Sequence, residues 1–161
     1  MVSAHAASAS GAEQRLQELG IVLPPAPLPL GAYVEAVQAG KLLFLSGILP
    51  VVDGKPQHVG RVGVELDLEA GRAAAHTAFL NALAVVRDEL GSLDKVSRVV
   101  RLGVNIVADP DFRSHPIVAD GASELLEAVF GKDKTSTRRA IGVVSLPLGA
   151  PLELELIFET I

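Results

Sequence analysis

Apolar residues recur every three or four positions in two long stretches of the chain, and this spacing predicts two amphipathic helices. Asp67 is placed to cap the first helix and Gly91 to end it, while the second helix is expected to begin near Pro116 and to end at Gly131. The apolar face of the first helix contains Phe79, Leu80, Leu83, Val86 and Leu90. That of the second helix contains Val118, Ala122, Leu125, Leu126, Val129 and Phe130.

Alternating or continuous apolar runs elsewhere predict β-strands. Residues 96–107 alternate over most of their length, whereas residues 41–46 are apolar on both faces, as expected for a central strand. A first strand is predicted at residues 32–37, and a turn at residues 52–55 leads into a short third strand.

The C-terminal region predicts a β-hairpin. Residues 137–146 lead into a turn that contains two prolines and a glycine, and residues 152–159 return with apolar residues and glutamates in alternation. The order of elements is therefore β-β-β-α-β-α-β-β. It predicts an α+β fold in which a single mixed sheet of about six strands carries two long helices on one face.

The second face of this sheet is expected to be apolar, because the strand at residues 41–46 is apolar on both sides. An apolar sheet face needs a partner, and another copy of the chain is the simplest one.

The N-terminal region differs from the rest of the chain. Residues 1–10 are small and polar, and we predict that they are disordered. Residues 11–30 are expected to form a short helix that stops at Gly20 and then a proline-rich strap, which is extended because each proline fixes φ and removes a donor. Residues 31–161 are expected to form a single domain.

Composition narrows the function classes. The 161 residues include no cysteine, which excludes disulfides, a thiolate nucleophile and a zinc-thiolate site. A net charge of −5 without a basic run argues against nucleic-acid binding on electrostatic grounds. No apolar run approaches the ~20 residues that span a bilayer, and the N-terminus lacks the regions of a signal peptide, so we expect a cytoplasmic protein without membrane contact. The four histidines stand at no ligand spacing, so no metal site is predicted.

Arg138 and Arg139 carry the clearest candidate chemistry. Alternation places Arg138 on the same face as Ala140 and Gly142, and these small neighbours leave room beside the guanidinium. An arginine in such a recess can bind a carboxylate through two parallel hydrogen bonds, so a small carboxylate metabolite is the expected ligand. A solvated arginine pair at a strand end is the alternative interpretation.

The predicted hairpin also separates Arg138 from Glu153. Symmetric pairing about the turn would pair Arg139 with Glu159 and would place Glu153 opposite Ser145, roughly 23 Å along the strand from Arg138. The side chains of Arg138 and Glu153 would then meet only across a subunit boundary.

Several motifs in the same order make the chain similar to the Rid family, which is also called YjgF and many of whose members carry the label endoribonuclease L-PSP. The segments that resemble it are residues 31–34, 43–50, 91–96, 136–143, 146–147 and 151–155. The resemblance extends from about residue 28 to the C-terminus.

This resemblance implies a homotrimer with the chorismate-mutase-like fold, in which the helices lie outside and three clefts lie between subunits. It also implies hydrolysis of reactive enamines and imines, such as 2-aminoacrylate, to a 2-keto acid and ammonia without a cofactor. By position, Arg138 matches the arginine that holds the substrate carboxylate, and Glu153 matches the acid near the attacking water. The other positions matched to the substrate cleft are Tyr33, Ser46, Gly47 and Asp120.

The chain departs from the deaminase pattern at four positions. Ile48 stands where the family motif often has glutamine, Ala140 where the deaminases often have cysteine, Arg139 replaces a small residue, and Asp120 stands near a usual asparagine. Three function classes follow: an imine deaminase, a trimeric small-metabolite-binding or regulatory protein without turnover, and an endoribonuclease, which the acidic charge disfavours.

Overall fold

The computed structural model of the protein describes residues 10–161, so the predicted disorder of residues 1–10 falls almost wholly outside the described residues. Its helices are α1 (Ala12–Glu18), α2 (Leu68–Leu90) and α3 (His115–Phe130). Both long helices begin and end where the sequence predicts. None of the described helices combines the length and apolar character that crossing a bilayer requires.

The helix-terminal residues explain these limits. The carboxylate of Asp67 accepts a hydrogen bond from the Ala70 N–H at 2.8 Å and caps α2. Gly91 ends α2 in the left-handed conformation, with φ of 80°.

Five strands form the main sheet in the order β1-β2-β7-β5-β6. Their bounds are β1 Ala36–Ala39, β2 Leu42–Leu45, β5 Val96–Val107, β6 Thr137–Val143 and β7 Leu152–Thr160. The short strands β3 (Val51–Val52) and β4 (Lys55–Pro56) pair with each other in a separate hairpin, so the main sheet has one strand fewer than the six expected. β1 begins four residues later than predicted, at Ala36.

The predicted C-terminal hairpin is wrong. β6 and β7 lie on opposite sides of β5, with β6 parallel and β7 antiparallel to it. The chain enters β6 from α3, and a strand reached through a helical crossover pairs in parallel with the strand before the helix. Arg139 therefore lies opposite Gly103 and not opposite Glu159.

Within residues 10–161, only one face of the main sheet is covered by helices, and we call it the helix face. Its central residues are buried in the hydrophobic core: Leu102, Val104, Ile106, Leu152, Leu154, Leu156 and Phe158. Helices on one face of a mixed sheet confirm the α+β prediction.

The other face, which we call the open face, is only partly apolar. Val37 and Phe44 are half exposed next to each other on β1 and β2. Toward β6 the same face carries charge, with Arg101 beside Glu155 at 3.8 Å. The sequence predicted an apolar open face. This is correct for the part formed by β1 and β2 and wrong for the charged part toward β6.

Between α1 and β1 the chain runs without regular secondary structure, as the prolines require. Ile21, Leu23 and Ala26 pack against the hydrophobic core. We use the name strap for residues 24–30, which follow this anchor.

Candidate functional site

The candidate site begins at the segment that leaves β2. The Ser46 hydroxyl donates a hydrogen bond to the Val34 carbonyl oxygen at 2.6 Å, and the Ser46 N–H donates to the Glu35 carbonyl oxygen at 2.9 Å. Two further residues along, Ile48 exchanges backbone hydrogen bonds of 2.9 Å with Leu154. These bonds hold the start of β1, the end of β2 and the start of β7 together.

Glu153 lies directly over Gly47. A β-carbon at position 47 would overlap the Oε1 atom of Glu153 and would lie 2.6 Å from its Cδ atom. Only glycine lets the glutamate side chain take this position, so the two residues form one structural unit.

Glu153 and Gly47 line a cavity of about 950 Å³. We call it the strap cavity, because the strap forms one of its walls. Tyr33 and Ser46 line it as well. The Tyr33 hydroxyl accepts a hydrogen bond from the Leu30 N–H at 2.9 Å, which fixes the C-terminal end of the strap.

Asn81 supports the wall of the strap cavity from α2. Its amide donates hydrogen bonds to the carbonyl oxygens of Leu49 and Val51, at 3.0 and 2.8 Å. The side chain is buried, so these two bonds hold the segment between β2 and β3 against the helix.

The charged residues that line the strap cavity within the described part of the chain are Glu35, Asp53 and Glu153, all of which are acidic. Burial raises the pKa of Glu153, and it also raises the pKa of Glu35, because a low-dielectric environment disfavours the ionised carboxylate. Both carboxyl groups therefore hold a proton more readily than an exposed glutamate does.

Arg138 lies elsewhere, on the helix-face side of the edge strand β6. One of its guanidinium nitrogens donates to the Asp120 carboxylate at 2.6 Å and to the Ser123 hydroxyl at 3.2 Å, both on α3. Ala140 and Gly142 share its face, as the alternation predicts. The guanidinium is partly exposed and is already engaged by a carboxylate.

Within one chain, Arg138 and Glu153 are separated by the sheet itself. Arg138 lies opposite Leu102, and Glu153 opposite Asn105, three residues further along β5. Since β5 stands between β6 and β7, two strand spacings and three residues put the two Cα atoms about 14 Å apart. The odd offset turns their side chains to opposite faces.

Four of the six predicted site residues therefore lie together. Tyr33, Ser46, Gly47 and Glu153 line the strap cavity, whereas Arg138 and Asp120 form an ion pair away from it. Arg138 and Glu153 are separated, as expected, but by about 14 Å across the intervening strand β5 and not by roughly 23 Å along a hairpin.

Sequence reasoning missed Glu35 and Asn81. Asn81 is a polar residue on the apolar side of α2, and a buried polar side chain of this kind signals a specific hydrogen-bonding task. Glu35 stands two residues after Tyr33 in the first predicted strand, where its alternation with Tyr33 places it on the same side.

Carboxyl groups in an apolar cavity can move protons and can interact with a positively charged nitrogen. In residues 10–161, no group of three or more histidine or acidic side chains is arranged to hold a metal ion.

Residues 13–159 match the family described as YjgF/chorismate mutase-like, candidate endoribonuclease. The match covers nearly the whole of the described chain, including α1 and the strap.

Individual relatives cover the chain as fully. The chain is 40% identical to Protein TCP17 of Trypanosoma cruzi over 145 residues, which are 89% of this chain and 91% of that protein. It is 32% identical over 136 residues to the 2-iminobutanoate/2-iminopropanoate deaminase of Dermatophagoides farinae, with coverage of 84% and 91%. The crystal structure of Atu1372 from Agrobacterium tumefaciens superposes with a TM-score of 0.85 at 37% identity, covering 93% of this chain and 92% of that one.

Proposed function

Because the chain belongs to the YjgF/chorismate mutase-like family, we propose that it hydrolyses reactive 2-imino and enamine acids to 2-keto acids and ammonia. The observation that carries the proposal is the carboxyl group of Glu153, which is held over Gly47 in an apolar cavity and has a raised pKa. The relative named as an imine deaminase, at 32% identity, supports the same reaction class.

Glu153 is suited to act as the general base. A carboxylate whose pKa is raised toward neutrality accepts a proton more effectively than an exposed one. Glu153 takes a proton from water as the water oxygen bonds to the carbon of the protonated imine, and the electron pair of the C=N π bond moves to the nitrogen. The product of this step is a carbinolamine.

Glu35 is suited to the second proton transfer. The carbinolamine nitrogen must gain a proton before the C–N bond breaks, and Glu35 is a second half-buried carboxyl group lining the same cavity. As the C–N bond breaks, the hydroxyl proton passes to the ionised Glu35 and the oxygen becomes the carbonyl oxygen of the keto acid. The released ammonia then takes the proton that Glu153 holds and leaves as ammonium. Two carboxyl groups that exchange roles in this way return to their starting states after each turnover.

Arg138 is assigned to the substrate carboxylate, and it has to come from a second protomer. Its strand, β6, is the outer edge of the main sheet, and an edge strand is accessible to a neighbouring chain. The apolar half of the open face, around Val37 and Phe44, offers a surface on which copies can associate. We therefore propose a homotrimer in which the Arg138 of one chain faces the strap cavity of the next.

A metabolite-binding or regulatory protein without turnover is the second candidate. It is favoured by the ion pair of Arg138 with Asp120, because a guanidinium already engaged by a carboxylate holds the substrate carboxylate less rigidly, and catalysis depends more than binding on exact positioning. An endoribonuclease is disfavoured, since the charged residues lining the strap cavity in the described chain are acidic and would repel phosphate.

The test is ammonia release from freshly generated 2-aminoacrylate by the purified protein. We expect a rate above that of buffer alone, and we expect Arg138→Ala to reduce it at least a hundredfold because the substrate carboxylate loses its anchor. Arg113→Ala is the matched control, since Arg113 is an exposed arginine outside the strap cavity. A wild-type rate equal to that of buffer would contradict the deaminase proposal, and saturable keto-acid binding would then favour the second candidate.

A further inference from the structure

The strap gives the cavity an apolar wall, and the acidic residues that line the cavity come from other segments of the chain. Residues 24–30 consist of four prolines, one alanine and two leucines, and all of them line the cavity. Ile48 and Leu49 add to the apolar lining. Glu153 and Glu35 lie at the part of the cavity formed by the ends of β1, β2 and β7.

The strap is held in place before any ligand arrives. Its N-terminal side is anchored through the packing of Leu23 and Ala26 against the core, and its C-terminal end through the hydrogen bond between Leu30 and Tyr33. Prolines restrict the backbone between these anchors, so little conformational entropy is lost when a ligand packs against it. Leu28 nevertheless remains 83% exposed, which leaves its side chain free to make contact.

The charges around the strap cavity orient a substrate of the proposed reaction. Its nitrogen is directed to the carboxyl groups of Glu153 and Glu35, and its carboxylate to the Arg138 of a neighbouring chain. The third substituent of the reacting carbon, the amino-acid side chain, is then left to face the apolar wall.

We propose that the strap is the side-chain subsite of the enzyme and that the preferred substrates are 2-imino acids with bulky apolar side chains, of the branched aliphatic or aromatic kind. This inference rests on the proposed function and specifies its substrate class. It assigns to residues 24–30 a role in specificity, with Leu28 as the main contact.

The size of the cavity supports this class over small imines. Cavities of ~300–1,000 Å³ hold ligands of drug size, and the strap cavity, at about 950 Å³, is near the upper limit. 2-Aminoacrylate has only a methylene group as its side chain, so it would leave the apolar wall in contact with water. A leucine-derived or phenylalanine-derived imine would cover that wall.

The experiment compares imines of different size on the intact protein. An amino-acid oxidase generates the imines of leucine and phenylalanine, a serine dehydratase generates 2-aminoacrylate, and hydrolysis is measured against semicarbazide trapping. We expect kcat/KM to be at least tenfold higher for the two bulky imines, which is within the range that a few buried methylenes supply.

Two matched variants locate the effect. Leu28→Ser is expected to lower kcat/KM for the bulky imines about three- to tenfold and to leave 2-aminoacrylate unchanged. Val22→Ser is the control, because Val22 is equally exposed but lies outside the cavity. Since both residues are exposed, neither substitution should affect folding.

Each outcome decides the inference. If 2-aminoacrylate is hydrolysed as fast as the bulky imines, or if Val22→Ser changes the preference as much as Leu28→Ser, the strap is not a side-chain subsite although the deaminase activity stands. If no imine is hydrolysed but 4-methyl-2-oxopentanoate and phenylpyruvate bind more tightly than pyruvate in a Leu28-dependent manner, the ligand class holds and the deaminase proposal fails. If there is neither hydrolysis nor preferential binding, both are wrong.

Discussion

Glu153 extends its carboxyl group across the backbone of Gly47, into the volume that a β-carbon at position 47 would occupy. The contact involves the far end of a flexible side chain, so the glutamate can rotate away if that volume is filled. The position of the proposed general base therefore depends on a single missing methyl group.

Gly47→Ala tests this dependence. We expect imine hydrolysis to fall at least tenfold, because an alanine displaces the carboxyl group and small displacements of a catalytic group are costly. The melting temperature should change little. In a Glu153→Gln background, Gly47→Ala should have almost no further effect on the rate, and an equal loss in both backgrounds would show that alanine acts by another route.

The second prediction concerns the subunit boundary. Arg138→Ala and Glu153→Gln should each reduce hydrolysis about a hundredfold or more to a small residual rate, but a mixture of the two variants, dissociated and reassembled, should recover activity. Three quarters of randomly assembled trimers contain both variants, and each of these has one intact site of three, so about a quarter of the wild-type activity should return. No recovery in proven mixed trimers would mean that the two residues do not form a shared site.

The ion pair of Arg138 with Asp120 leads to a third prediction. Asp120→Asn keeps a hydrogen-bond acceptor near the guanidinium but removes the negative charge that competes with the substrate carboxylate. We expect KM to fall about threefold, with little change in kcat. A rise in KM would indicate that Asp120 acts mainly to orient Arg138.

The fourth prediction concerns stability and pH. Burial raises the pKa of Glu153 above 4.5, so the folded state binds its proton more tightly than the unfolded state does. Ionisation therefore lowers the free energy of unfolding as the pH rises through the folded-state pKa. Glu153→Gln should raise the melting temperature at pH 7.5, and this gain should vanish below pH 4.5.

Glu89→Gln is the control for the Glu153→Gln measurement, since Glu89 is an exposed glutamate of α2. A melting temperature that rises equally for both variants would attribute the effect to net charge instead of burial.

The fifth prediction concerns the docking of α1. Glu13 forms an ion pair with Arg87 at 2.6 Å and accepts a hydrogen bond from the Leu93 N–H at 2.9 Å. Burial alone would raise the pKa of Glu13, but the hydrogen bonds from Arg87 and Leu93 outweigh burial and lower it. The ionised form therefore contributes stability above pH 4.5 that is lost as the pH falls through the folded-state pKa.

Glu13→Gln should consequently lower the free energy of unfolding by about 1 kcal/mol at pH 7, because the pair is partly exposed. In a domain of this size the melting temperature should fall by about 3 °C. The difference should disappear at low pH, and Glu127→Gln, on the exposed side of α3, should show no such effect. A deficit that persists at low pH would point to lost packing.

Local patterns predicted the helices closely and the sheet less well. Asp67 and Gly91 set the ends of α2 through hydrogen bonds and a backbone conformation that depend on residues within one turn. The pairing of β6 depends on where α3 returns the chain. The pattern of residues 137–159 alone does not indicate that β5 lies between β6 and β7. The alternation of Arg138, Ala140 and Gly142 on one face was still correct, because it is a property of a single strand.

The motif residues Tyr33, Ser46, Gly47 and Glu153 could be named from the sequence, since each belongs to a recognisable segment. The tertiary structure decided that these residues line one cavity together with Glu35 and the strap. Burial, the pKa of a carboxyl group and the separation of Arg138 from Glu153 depend on distances between segments far apart in the chain. The amino-acid order determines which chemical groups and which local conformations are present, and packing decides which of those groups share an environment.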